Sequence, residues 1–170
     1  MDLILSLELG HAVASIVWLA GGAVLALILL AAGRDDAAAL RAVGEAELIE
    51  RRVLCPAAIL TLLSGLVLAG AAGAAFEAWV WLSTALLLGA LVARRLVVAP
   101  ALAGARQDAE AAHRALGLVL RDLGAQVGVL ALMVVKPGWT GAAVLLGLGV
   151  CIALAVALLR SLSESDAQPA

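Results

Sequence analysis

Apolar residues run almost without interruption from Leu7 to Ala32, and again over about 53–73, 78–99, 115–135 and 140–160. A helix needs roughly 20 such residues to cross a bilayer core, so the pattern predicts five transmembrane spans. The connections after the second and fourth spans are very short, which makes each of those pairs an antiparallel hairpin. The expected fold is an all-α bundle of five transmembrane helices in one domain over 1–162, with a disordered tail at 163–170.

The two longer connections are polar but periodic. "RDDAAALRAVGEAELIERR" begins with Asp35 or Asp36 as a helix N-cap and spaces Glu47 and Arg51 as an i,i+4 pair. It is expected to run straight into the second span, with Pro56 as a kink near the membrane boundary. "ALAGARQDAEAAHRALG" spaces Glu110 and Arg114 in the same way. Small residues at regular intervals, Gly124 and Gly128 on the fourth span and Gly149, Ala153 and Ala157 on the last, predict closely packed helices. They do not distinguish a monomer from a homo-oligomer.

Composition narrows the class. The chain has 65% hydrophobic and 14% charged residues in 170, and a mean hydropathy of +1.12. Soluble domains hold about a quarter charged residues, so this is a multi-pass membrane protein in contact with lipid. Asp2 and Glu8 stand where a cleavable signal would carry basic residues, and the first span is read as retained. A net charge of −2 gives no electrostatic footprint for nucleic acid. Cys55 and Cys151 lie inside apolar runs with no neighbouring cysteine, which excludes a disulfide framework.

Charge placement predicts orientation. Ten of the eleven basic residues lie in or beside the first loop, the third loop or the C-terminal end, and only Lys136 falls on the other side. The positive-inside rule therefore puts the N-terminus outside and the C-terminus in the cytoplasm, as expected for a bacterial cytoplasmic (inner) membrane. Trp79, Trp81 and Trp139 then form an outer aromatic belt.

Candidate chemistry sits on the first and fourth spans. Glu8, His11, Ser15, Trp18 and Gly22 share one helix face, a polar-aromatic stripe suited to a planar ligand or to a neighbouring helix. A neutral imidazole is a common haem ligand, and Glu8 is placed to orient it. In the expected topology His11, Met133 and Lys136 lie at one depth, where Met133 offers a soft second ligand and Lys136 a partner for a carboxylate. Arg121 is read as partly paired with adjacent Asp122.

These stretches carry a family resemblance. "GHAVASIVWLAGG" resembles the H-x6-W first helix of HemJ-type protoporphyrinogen oxidases and of the copper resistance protein D family. "ERRVLCPAAILTLLSG" and "VVKPGW" are similar to the second-helix pattern and fourth-helix ending of HemJ-type proteins. Over most of 1–140 the chain also resembles uncharacterised integral membrane proteins with the same three motifs. The HemJ-type resemblance implies haem b, His11 as axial ligand of the iron and Lys136 as a functional cation, with Arg52 carried over from the second helix. The sequence departs from that pattern in a third span, "AWVWLSTALLLGALVA", without lysine or histidine, and in "DLGAQVG" where N-E-x-P stands. The expectation is thus a haem b or tetrapyrrole protein with a redox role, in which Trp18 walls the ligand and the quinone pool is the natural partner. If it is an enzyme, it is a HemJ-like membrane oxidoreductase. Copper handling or transport is the second expectation, although the chain has only two methionines and two cysteines. A non-catalytic accessory subunit of a membrane complex is the third.

Overall fold

The computed structural model describes residues 3–32, 36–105 and 109–147. All of its regular structure is helical: α1 (Leu3–Ala32), α2 (Asp36–Ile49), α3 (Cys55–Ala71), α4 (Ala78–Ala93), α5 (Ala99–Gly104) and α6 (Ala109–Val135). Residues 139–147 begin a further helix. The rest of the expected fifth span, with Gly149, Cys151, Ala153 and Ala157, lies outside the described residues, as do Asp35, the expected tail and the orientation they bear on.

Four helical stretches are long and apolar enough to cross a membrane: Leu3–Ala31, Arg41–Ala71, Ala78–Gly104 and Gly117–Val135. Their outward faces carry large apolar side chains such as Ile16, Leu27, Leu63 and Val127. In water such a surface would aggregate; in a bilayer it faces hydrocarbon. The polar connection before the second span is helical and continuous with it, as its periodicity predicts.

The long second and third spans are continuous because each absorbs a proline through one wide turn. A proline inside a helix has no N–H and its ring clashes with the carbonyl four residues back. Before Pro56, residues Glu50–Leu54 form a π-helical turn in which the Cys55 N–H bonds to the Glu50 carbonyl. Before Pro100, Arg94–Val98 do the same, with the Ala99 N–H bonded to the Arg94 carbonyl. The wider turn gives the ring room, so Pro56 follows a π turn in the first turn of α3 instead of ending the helix.

The core lies among α1, α3, α4 and α6, with α2 and α5 packed at one end. Trp18, Leu25, Leu29, Leu54, Leu87 and Val129 are its larger members. Two close approaches fix its register. A Cβ on Gly21 would strike the Leu54 side chain, and one on Gly22 would strike the Gln126 amide. Of the two glycines in the expected G-x-x-x-G, only Gly128 meets a neighbour, Leu86 on α4, while Gly124 faces open space.

Candidate functional site

Antiparallel packing brings the start of α1 beside the end of α3. His11 lies opposite Ser64 and Gly65, and ten residues on, Gly21 lies opposite Leu54. At this end the four spans diverge around a cavity of about 550 Å³. It opens beside the α3–α4 connection, where Ala72 and Ala74 line it, and beside Lys136 at the end of α6. His11, Met133 and Lys136 all line it, so the structure brings together the three residues expected to share one depth.

The imidazole is fixed by its second nitrogen. His11 Nδ1 is 3.0 Å from Ser64 Oγ, and the Ser64 hydroxyl donates to the Leu60 carbonyl one turn back. With its proton committed there, Ser64 accepts from Nδ1–H, and the tautomer keeps a lone pair on Nε2. Ser64 therefore takes the orienting role expected of Glu8, which lines the cavity from an exposed position. The ring lies against Gly65, where a Cβ would come within 3.0 Å of Cε1. Any side chain at that position would have to push the imidazole aside.

Lys136 closes α6 in an unusual way. Its N–H bonds to the Leu132 carbonyl at 2.9 Å and its φ is 47°, the left-handed closing conformation that glycine normally supplies. A side chain there costs about 1–2 kcal/mol. The conformation turns the lysine back over the bundle, with Nζ 5.5 Å from the Trp79 ring centroid. The aromatic face holds a cation at the cavity mouth without neutralising it.

Trp18 and Arg52 stand apart from this group. Trp18 is buried in the core two turns along α1 from His11, with its indole Nε1 unpartnered, and it does not line the cavity. Arg52 is exposed in the first π turn, toward the other end of the bundle. Thr61, which stands in the second-helix motif, also lines the cavity, and Ser83 and Thr84 supply polar lining that sequence reading did not single out. Among the described residues no three His, Cys, Asp or Glu side chains gather as a metal cluster.

The arginine-rich end contains a second polar assembly. Arg94 is buried, not at the surface, and its Nη1 lies 3.1 Å from both carboxylate oxygens of Glu50. Its Nη2 pairs with Asp122, whose Oδ2 also accepts from Gln126 Nε2 at 2.9 Å. Asp122 thus pairs with Arg94 across the bundle and not with adjacent Arg121, which is exposed. Successive helix positions are about 100° apart, which lets Asp122 face the core while Arg121 faces outward. Both π turns open on a member of this triad, Glu50 and Arg94.

Comparison with known proteins places the chain in a group defined by sequence. No curated protein and no solved structure matches it, and no link to the HemJ-type oxidases or the copper resistance proteins emerges. A family model described as "Predicted integral membrane protein (DUF2269)" matches residues 5–137, from the first turns of α1 to Pro137. That stretch holds the cavity, its histidine and lysine, and the buried triad, and the chain belongs to the DUF2269 family of integral membrane proteins.

Proposed function

We propose that the cavity binds haem b or a closely related tetrapyrrole, with His11 as the axial ligand. The observation that carries this reading is an imidazole fixed through Nδ1 by Ser64 at the wall of a cavity whose mouth holds a lysine. The size fits, since about 550 Å³ lies within the range of ~300–1,000 Å³ for small-molecule sites. So does the chemistry. Small residues such as Gly65, Ala69 and Ala72 line it and admit a flat macrocycle, Lys136 would hold a propionate, and the half-buried Met133 thioether offers a second soft ligand. When bound, the haem would supply a one-electron couple. The protein's part is to hold the ring, fix the imidazole and keep a cation at the carboxylate edge. In the orientation that the positive-inside rule favours, this mouth would open at the outer face of a bacterial inner membrane.

The strain at Lys136 provides a test that separates binding from folding. Lys136→Gly removes the cation and relieves the left-handed backbone, so the variant is expected to melt slightly higher than the native protein. Its affinity for haem is expected to fall about tenfold, or ~1.4 kcal/mol. Affinity for the haem dimethyl ester, which has no carboxylate to pair, is expected to stay unchanged. An equal loss for both ligands would remove Lys136 from the site.

A further inference from the structure

Four buried polar atoms lack a protein partner among the described residues: Thr61 Oγ1, Trp18 Nε1, Gln126 Oε1 and Arg94 Nε. Their order along the bundle follows from the register. Thr61 lines the cavity one turn from Ser64. Trp18 lies two turns beyond His11, and Gln126 packs on Gly22, one turn past Trp18. Asp122, held by the guanidinium of Arg94, is one turn past Gln126. The residues that carry these atoms are therefore stepped about 5–6 Å apart along the bundle axis, one per helical turn, from the cavity to the triad. Two hydrogen bonds through one water span about that distance, and buried polar groups without protein partners are where internal water resides.

The triad at the end of this ladder has an unbalanced charge. Arg94 is the cation between two buried carboxylates, so the fully ionised set carries −1. The triad's other hydrogen-bond partner, Gln126, is neutral; on α2, which packs at this end, Glu47 is half-buried one turn before Glu50, while Arg41 and Glu45 are exposed. The neighbouring Arg51, Arg52, Arg95 and Arg121 are exposed and face outward. A buried net charge is costly, and one proton on either carboxylate brings the set to neutrality.

We propose that Glu50, Arg94 and Asp122 form a proton-loading site that exchanges one proton with the cavity through water bonded to Gln126, Trp18 and Thr61. Uptake takes the set from −1 to neutral, and release reverses it with no other bond made or broken. The proposal does not depend on what the cavity binds.

Infrared spectroscopy of the full chain in non-ionic detergent tests it. Above about pH 6, where exposed carboxylates are already ionised, the native protein is expected to show one protonated-carboxyl C=O band that titrates with pH, and Glu50→Gln or Asp122→Asn is expected to abolish that titration with helix content retained. Thr61→Val and Gln126→Leu, which leave both carboxylates in place, are expected to keep the band but slow its deuterium shift at least tenfold. Thr61 does not touch the triad, so its result cannot arise from damage there. No titrating band in the native protein overturns the proton site, and native exchange rates in both Thr61→Val and Gln126→Leu overturn the water path.

Discussion

Arg94→Ala is expected to destabilise the bundle by about 3–5 kcal/mol, the largest stability effect of any single substitution in the described residues. Arg94 is 4% exposed, and its guanidinium pairs with both buried carboxylates. Removing it leaves both charges buried and repelling one another. Glu50→Gln or Asp122→Asn should cost much less, because each leaves one carboxylate balanced by one arginine. Replacing the set together, Glu50→Leu with Arg94→Met and Asp122→Leu, should recover most of the loss, since apolar side chains of similar volume need no desolvation. Unfolding in mixed micelles followed by circular dichroism gives the ranking. If Arg94→Ala were no worse than the two amide variants, the triad would not be the buried, mutually dependent unit described here.

His11→Ala is expected to weaken haem binding about a hundredfold, or ~2.8 kcal/mol, while leaving the fold intact. The ring is half-buried and its Ser64 bond is one of several that serine makes, so the stability cost is small. Affinity for metal-free protoporphyrin, which has no iron to ligate, should change little. Added imidazole should restore the native absorption spectrum of the variant, because Gly65 leaves open the space that the side chain vacates. Equal loss for haem and for the free porphyrin would make His11 a packing residue instead of a ligand.

Much of this architecture is legible in the sequence, and the illegible part has a physical pattern. Length and hydropathy reveal four of the five expected spans within the described residues, together with the helical approach to the second. The shared depth of His11, Met133 and Lys136 also follows from counting residues along antiparallel spans. What counting cannot supply is which neighbour of a pair faces inward. Arg94 and Arg95 look alike in the chain, and only packing distinguishes the buried one. The two π turns left a trace, because Glu50 stands six residues before Pro56 and Arg94 six before Pro100. Ser64 left none, and Gly65 only closes the second-helix motif. They are ordinary small residues of an apolar helix, and their importance appears only when α1 is laid against α3.

What the His11 cavity holds is tested most directly by an absorption spectrum. The full chain, expressed with ample haem supply and purified in detergent, is expected to show a Soret band at one haem per chain that shifts on reduction. The same preparation with no Soret band, and none appearing after added haem, would contradict the proposed function.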